Sequence, residues 1–289
     1  MLQSAAMRDA AFLTFVKLLP KKSLSRAVGS ATRLGGLEGA HQAAIRIFAE
    51  QYGVAVDEAE LPLEAYPTFG DFFTRKLKPG LRPIFEGDDV PVSPVDAAVS
   101  HAGIAQQGRL IQAKGRDYSL ASLLGDPEEG RRFSGGAYVT LYLSPRDYHR
   151  FHAPLPGKVL GWRYVPGHLW PVNRPSVRGV PELFAVNERV IIALDMPVGR
   201  VAMVAVGATC VGRIRLSFDD LVTNTGRPPS RVRYDLPRPV RKGEELGMFE
   251  MGSTIILVFE PGRVELDERL VPDAPVRLGE VIGRAIAAP

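Results

Sequence analysis

Four residues of this 289-residue chain have side chains that can carry out nucleophilic chemistry if folding brings them together. Ser253 stands in a Gly-Ser-Thr triplet directly before the apolar run STIILVF. His149 and His152 lie close together in YLSPRDYHRFHAPLPG, and Asp96 follows SPV in a loop-like stretch. A serine hydroxyl becomes a nucleophile when a histidine takes its proton, and an aspartate behind that histidine fixes its tautomer. The residue types therefore suit a serine activated by a histidine and an aspartate.

Each of these signals also has a purely structural interpretation. A Gly-Ser-Thr triplet alone is typical of a turn, and Asp96 alone is typical of an Asx-turn. The histidine pair has a spacing that zinc ligands use, but His101 and His168 are isolated and no third ligand of suitable spacing follows. We therefore expect no metal site. The single cysteine, Cys210, lies in the apolar run VAVGATCV and is expected to be a small buried residue.

Composition narrows the class of protein. Hydrophobic residues make up 45% and charged residues 24% of the chain, which is an ordinary globular mixture. The net charge of +4 is mild, so it suits an anionic membrane surface or an acidic substrate better than nucleic acid. The longest apolar stretch near the start covers residues 10–19 and contains Lys17, so it is too short to span a bilayer. It also lacks the flanks of a signal peptide, and one cysteine fits a reducing compartment.

The N-terminal region, residues 1–65, has helical periodicity. Apolar residues repeat at i, i+3, i+4 and i+7 in three stripes, and Gly53 is a predicted C-cap of the third. The stripes are Phe12, Phe15, Val16, Leu19; Leu24, Ala27, Val28, Ala31; and Ile45, Phe48, Ala49, Tyr52. Basic residues flank the first two: Lys17, Lys21, Lys22, Arg26 and Arg33. Such faces suit a helix in the membrane interface, or they pack on the protein's own core.

Residues 66–289 are predicted to form a β-rich domain. Thr68 and Asp71 form a capping box ahead of a short helix with three phenylalanines. Short β-branched and aromatic runs punctuated by Gly and Pro then follow: AYVTLYLS, KVLGWRYV, RVIIALDM, RVAMVAVGATCV and STIILVF. VRKGEELG at 240–247 matches VRLGEVIG at 276–283, an internal repeat with a glycine turn as in carrier-like sandwiches. We expect an α+β protein whose larger part is mainly antiparallel sheet.

The chain resembles a known family through motifs that run in order from about residue 66 to 262. They are FFTRKLKPGLRPI, SPVDAAVS, QAKGRDYSLASLLG, YLSPRDYHRFHAPLPG, VPGHLWPVN, LFAVNERV, VGATCVG and KGEELGMFEMGST. Together they are similar to phosphatidylserine decarboxylase of the bacterial and mitochondrial type. The histidine motif followed by the Gly-Ser-Thr motif is the most specific part of this resemblance.

The resemblance implies a self-processing enzyme. Cleavage between Gly252 and Ser253 would give a β chain of residues 1–252 and an α chain of 253–289, with Ser253 converted to a pyruvoyl group. His152 matches the general base of this cleavage, and Asp96 matches the aspartate that orients it. His149 matches the family's second histidine, which serves decarboxylation. Glycine before the serine lets the backbone bend so that the hydroxyl can close on the carbonyl.

The resemblance also implies the substrate and the location. The pyruvoyl ketone would form a Schiff base with phosphatidylserine and act as electron sink, giving phosphatidylethanolamine and carbon dioxide. The enzyme would be a peripheral protein on the cytoplasmic face of the cell membrane, active as a homodimer of processed protomers. The basic residues Arg75, Lys76, Lys78 and Arg82 then either meet lipid phosphates or form a solvated loop.

Two positions depart from the family pattern. Met251 replaces the usual leucine, which is a near-isosteric change of little expected effect. Ala97 replaces a glycine after Asp96, and it would strain the loop if that position needed a positive φ.

Other functions remain open from the residues alone. A pyruvoyl-dependent decarboxylase of a soluble amino acid would share the cleavage, and a non-catalytic membrane-binding β module would stay one chain. A secreted serine hydrolase is disfavoured because the chain has no G-x-S-x-G motif and no export signal.

Overall fold

The computed structural model describes residues 12–14, 16–17, 32, 39–113, 116–209, 213–250 and 253–286. Some residues of the sequence analysis lie outside these ranges. They are the whole second apolar stripe, Phe15 and Leu19 of the first, four of the five flanking basic residues, Cys210, Met251 and Gly252.

The described part of the chain is mainly strand. The strands are β1 Ala97–Ile104, β2 Arg109–Ala113, β3 Arg116–Ser119, β4 Gly136–Leu143, β5 Arg150–His152, β6 Gly157–Val165, β7 Arg189–Met196, β8 Gly199–Gly207, β9 Ile214–Leu216, β10 Ser230–Val240, β11 Glu245–Phe249, β12 Ser253–Pro261, β13 Val264–Leu266, β14 Pro275–Val276 and β15 Gly283–Ala285. The α-helices are α1 Ala40–Tyr52, α2 Phe69–Phe73, α3 Leu120–Leu124, α4 Pro127–Arg132, α5 Arg174–Gly179 and α6 Leu183–Val186. Single 3₁₀ turns cover Val56–Glu58 and Leu63–Ala65.

One eight-stranded sheet organises the protein. Its strand order is β10-β6-β7-β8-β12-β4-β1-β14, and every paired neighbour is antiparallel. The prediction of a mainly antiparallel β region is therefore confirmed. The predicted hairpin is also present: β7 and β8 join across Met196 and Gly199, and Gly199 has the positive φ of 92° that glycine tolerates.

Alternate residues of each strand point to opposite sides of this sheet, and both sides are covered by other elements. On one face, Leu141 of β4 and Ile255 of β12 pack with the small sheet β5-β11-β9 through Phe151 and Phe249. On the other face, Tyr138 and Ile256 belong to the core that the short helices and the β2–β3 hairpin cover. The result is a sandwich, with helices filling part of one layer.

The two copies of the internal repeat form equivalent turns. Gly243 and Gly279 have φ angles of 75° and 89°, and a side chain at either position would meet Ile84. The N–H of Gly243 bonds the carbonyl of Ala153, and that of Gly279 bonds the carbonyl of Ser93. Each repeat therefore places a tight glycine turn against a segment that carries a predicted site residue.

The described part of the N-terminal region contains the third predicted helix and a short helical stretch near the start. The third stripe forms α1, which ends at Gly53 in the left-handed conformation, and Thr68 caps α2 by accepting from the N–H of Asp71. Residues 12–14 and 16–17 are helical, Val16 is buried, and Leu13 packs against the core beneath the short helices. Of the described residues of the first stripe, Val16 is buried and Phe12 is half-buried. Among the described residues, no helix is both long and apolar enough to cross a bilayer.

Candidate functional site

Ser253 is the first residue of β12, in the middle of the large sheet. It lies opposite Leu143 of β4 on one side and Gly207 of β8 on the other. Its side chain is 1% exposed, and its hydroxyl has no hydrogen-bond partner among the described residues. A buried hydroxyl without a partner costs free energy, and the hydroxyl of the next residue, Thr254, is in the same state.

His149 is fully buried beside the end of β4. Its ring stacks on Phe73 of α2 with centroids 4.1 Å apart and planes inclined by 24°. Its carbonyl accepts from the N–H of Phe249, the last residue of β11 before the segment that leads to Ser253. Burial, with the nearby charge of Arg75, lowers the pKa of His149 to about 3. The imidazole is therefore neutral at neutral pH and carries one N–H that it can donate.

His152 lies on β5 and has a partner on each ring nitrogen. Nδ1 is 2.9 Å from the carbonyl oxygen of Gly243, and Nε2 is 3.1 Å from the hydroxyl of Tyr148. A carbonyl oxygen can only accept, so the proton of the neutral ring is on Nδ1 and the lone pair is on Nε2. Burial lowers the pKa of His152, which keeps the ring in its neutral, basic form.

Asp96 immediately precedes β1 and is buried. Arg82 donates to both of its carboxylate oxygens, and the N–H of Leu278 donates to Oδ1 at 2.8 Å. No hydrogen bond joins Asp96 to His152 among the described residues, although the Asp96 charge favours the protonated form of His152 through space. The contact that the sequence resemblance implied between these two residues is absent from this arrangement.

The strand register brings the four residues to one end of the sheet. Ala98 of β1 lies opposite Tyr142 of β4, which lies opposite Thr254 of β12. Asp96 and Ser253 thus lie on either side of the end of β4. Their backbones are about two strand spacings apart, roughly 10 Å. His152 joins them because its backbone N–H bonds the carbonyl of Pro94.

Ala97 does not strain this site. It is paired with Val276 in β1, and it is not among the described residues with a positive φ. The loop strain that sequence analysis considered for this position is therefore absent.

A cavity of about 990 Å³ is lined by Asp96 and by sequence neighbours of Ser253 and His149. Thr254, the neighbour of Ser253, and Tyr148, the neighbour of His149, line it, as do Asp96, Ser144 and Arg75. We call this space the site cavity. It is large enough for the polar headgroup of a phospholipid.

Sequence reasoning missed two residues of this site: Tyr148, which contacts His152, and Phe73, which stacks on His149. It left Arg75 between contact with lipid phosphates and a solvated loop. In the structure Arg75 is buried, and its Nη2 donates to the carbonyl oxygen of Arg146 at 2.8 Å. Phe73 and Arg75 stand in the motif FFTRKLKPGLRPI, which is remote in sequence from the histidines. The internal repeat was a usable signal, since its glycine turns hold His152 through Gly243 and Asp96 through Leu278.

Comparison with known proteins identifies the family of this chain. A sequence model of the family described as phosphatidylserine decarboxylase matches residues 69–284, a range that includes Asp96, both histidines and Ser253. This chain belongs to the phosphatidylserine decarboxylase family.

Several curated relatives cover nearly the whole chain. A phosphatidylserine decarboxylase proenzyme of Anaeromyxobacter sp. (strain K) is 56% identical over 283 residues, covering 96% of this chain and 100% of that protein. Proteins of the same name are 53% identical in Myxococcus xanthus (strain DK1622) and 42% identical in Ectopseudomonas mendocina (strain ymp), each covering 96% of this chain and 99% of the relative. The family resemblance read from the sequence motifs is confirmed.

Proposed function

We propose that this chain is a precursor that cuts itself between Gly252 and Ser253 and then converts phosphatidylserine to phosphatidylethanolamine and carbon dioxide. Family membership supports the reaction class. The observation that carries the self-cleavage is the Ser253 hydroxyl, which is buried at the start of a core strand without a partner. A nucleophile in that position needs only a base and a neighbouring carbonyl, and Gly252 supplies the carbonyl.

His152 is the proposed base for cleavage. Gly243 fixes its Nδ1–H, so Nε2 is the atom that takes the Ser253 proton. The Ser253 oxygen bonds to the Gly252 carbonyl carbon, the carbon–nitrogen bond breaks, and the nitrogen receives the proton from His152. Elimination of the resulting ester leaves dehydroalanine, which water converts to a ketone with release of ammonia. Asp96 stabilises the charged imidazole of His152 through space.

The residues fit a pyruvoyl group at position 253. The position lies in the core, so the short fragment 253–286 remains docked through the pairing of β12 with β4 and β8. When present, the group supplies the electron sink that decarboxylation of an amino acid requires. His149 is the proposed proton donor to the carbon that loses carbon dioxide. Its lowered pKa means that it acts as a neutral N–H donor and not as an imidazolium.

A lipid substrate fits the surface next to the site cavity. Gly53 and Ala55 line the cavity, and they adjoin exposed apolar side chains on Tyr52 and Val56. We assign peripheral contact with the anionic cytoplasmic face of the membrane to this surface and to the N-terminal region 1–65. By family resemblance, the processed protomers form a homodimer.

Intact-mass analysis of purified protein tests the proposal. The wild type is expected to give two fragments, 1–252 and 253–289, with the smaller one blocked to Edman degradation by its ketone. Ser253→Ala is expected to remain one chain without activity. A wild-type preparation that stays uncut and still decarboxylates phosphatidylserine would overturn the proposal. Turnover of free serine at the rate of the lipid would instead favour a decarboxylase of soluble amino acids.

A further inference from the structure

Arg75 is a buried cation whose guanidinium is only partly satisfied. The residue is 4% exposed, and its Nη2 donates to the carbonyl oxygens of Arg146 and Asp147 at 2.8 and 3.4 Å. Its Nε and Nη1 have no hydrogen-bond partner among the described residues, and no described carboxylate forms an ion pair with it. Asp147, Asp96 and Glu58 favour its charged form through space, but none of them bonds to Nε or Nη1. Burying donors of a cation without hydrogen bonds is costly, so such a group marks a place where an anion binds.

The position of Arg75 is fixed rather than mobile. Its guanidinium carbon lies 5.2 Å from the centre of the Phe72 ring, and Phe72 is itself fully buried. Arg75 lines the site cavity two residues after Phe73, which stacks on His149. An anion that pairs with Arg75 therefore lies in a cavity that is also lined by Asp96 and by Thr254, the neighbour of Ser253.

The other cations around the cavity have different environments. Arg82 is neutralised by Asp96 and Glu58 at 2.7 and 2.6 Å. The remaining arginines that line the cavity are exposed to solvent: Arg146, Arg174, Arg178 and Arg277. The Arg146 side chain is 65% exposed. Among the basic residues of the FFTRKLKPGLRPI motif, Arg75 alone is buried, lines the cavity and has unpartnered donor nitrogens.

The proposed substrate carries two anions, a carboxylate and a phosphodiester. The carboxylate gives up its charge in the reaction, so a fixed cation beside it would stabilise the reactant more than the transition state and slow the step. The phosphodiester keeps its charge from substrate to product. A planar guanidinium with two free N–H groups also matches the geometry of phosphate oxygens. We infer that Arg75 binds the phosphodiester of the phospholipid headgroup.

This inference rests on the proposed decarboxylation, and it makes a distinct kinetic prediction. A contact that is equally strong in substrate and transition state affects KM and not kcat. In mixed micelles of detergent and phosphatidylserine, Arg75→Gln should raise KM by about 10- to 100-fold, the usual effect of losing a charged hydrogen bond. Its kcat should stay within about 2-fold of the wild type.

Inhibition by phosphatidylethanolamine tells the two anions apart. This lipid has the phosphodiester and lacks the carboxylate, so its inhibition constant should rise by the same factor as KM in Arg75→Gln. Lys76→Gln is the matched control, because it removes an exposed charge next to Arg75 in the same motif and Lys76 does not line the cavity, so both constants should stay near the wild type. If KM rises while inhibition by phosphatidylethanolamine is unchanged, Arg75 binds the carboxylate and the inference is wrong. A fall in kcat at constant KM would also overturn it.

Maturation is measured first, by the fraction of chain cut at Ser253. If Arg75→Gln is not cut, the same kinetics are measured on Arg75→Lys. Lysine keeps the positive charge but cannot donate two parallel N–H groups to one phosphate, so a raised KM with unchanged kcat is again expected. If both variants stay uncut, Arg75 is a structural residue and the inference is overturned. Failure of the wild type to cut itself or to turn over the lipid would reject the proposed function, a result distinct from any of these.

Discussion

The guanidinium of Arg82 holds the carboxylate of Asp96 by both oxygens: Nε is 3.0 Å from each, and Nη2 is 2.7 Å from Oδ2. The same Nη2 is 2.6 Å from the carboxylate of Glu58, so one cation joins two acids. Asp96 therefore anchors the segments around residues 58, 82 and 278, and it contributes its charge to His152 from a distance. It is both a structural residue and an electrostatic one.

Arg82→Met should destabilise the protein markedly. It leaves the Asp96 and Glu58 carboxylates near each other without a cation, and breaking a buried pair in this way costs about 3 kcal/mol. Adding Asp96→Asn removes one of the orphaned charges, so the double variant should lose less than the sum of the single ones. Urea unfolding in the uncut Ser253→Ala background measures these free energies.

The matched control for this cycle is Arg284→Met. Arg284 pairs with Glu265 at the surface, where both side chains are exposed, so its loss should cost less than about 1 kcal/mol. Strict additivity of Arg82→Met and Asp96→Asn would show that the two residues do not interact, contrary to the geometry.

Tyr148→Phe should accelerate self-cleavage. The Tyr148 hydroxyl donates to Nε2 of His152, the atom that has to receive the Ser253 proton. This bond stabilises the neutral imidazole in a state in which the Nε2 lone pair is already engaged. Losing one hydrogen bond of about 1 kcal/mol corresponds to cleavage about 5-fold faster. The rate is followed by the appearance of the 253–289 fragment after synthesis. Tyr142→Phe, a cavity-lining change away from His152, should cleave at the wild-type rate. Cleavage slowed 10-fold or more in Tyr148→Phe would instead make the phenol part of the proton path.

Much of the fold is readable from local patterns. The α1 stripe with its Gly53 cap, the Thr68–Asp71 box and the runs that became β4, β7 and β12 are all encoded within about ten residues. The helices α3 to α6 were not predicted, because segments of four to six residues are too short to show helical periodicity. Strand β10 was missed because its polar sequence SRVRYDLPRPV lacks an apolar run.

The site residues were identified from motifs, but their partners were not. His152 is held by Gly243, 91 positions away, and Asp96 by the backbone of Leu278, 182 positions away. Such pairings depend on tertiary packing, and a sequence pattern does not specify them. The expectation that Asp96 orients His152 directly came from resemblance. In the structure, Arg82 donates to both oxygens of the Asp96 carboxylate instead.

His149 should make the stability of the uncut protein depend on pH. Its pKa is about 3 in the folded chain and about 6.5 when unfolded, so the unfolded state binds more protons between these values. Stability is then complete above pH 6.5 and falls as the pH is lowered, by about 2 kcal/mol between pH 6.5 and 5. Burial lowers the pKa of His152 too, which adds a loss in the same direction.

The measurement compares Ser253→Ala with Ser253→Ala/His149→Gln by urea unfolding at several pH values. The second protein should lose less stability on acidification, because it lacks one titrating group. Parallel pH profiles for the two proteins would mean that His149 is not desolvated in the folded chain as the structure has it.

Phe73→Leu should separate turnover from maturation. The ring of Phe73 lies against His149, and a stack of this kind fixes the plane and the position of the imidazole. Leucine keeps most of the buried volume, so the variant should fold and cut itself within about 3-fold of the wild-type rate. The loosened imidazole is misplaced for proton donation, so kcat should fall by about 10-fold or more, since small displacements of a catalytic group have large effects. Phe69→Leu is the matched control, because Phe69 packs on Phe73 and Phe48 but not on His149, and its kcat should be nearly unchanged. The opposite result, in which Phe73→Leu stops cleavage while the cut fraction turns over normally, would assign His149 to maturation and exchange the roles of the two histidines.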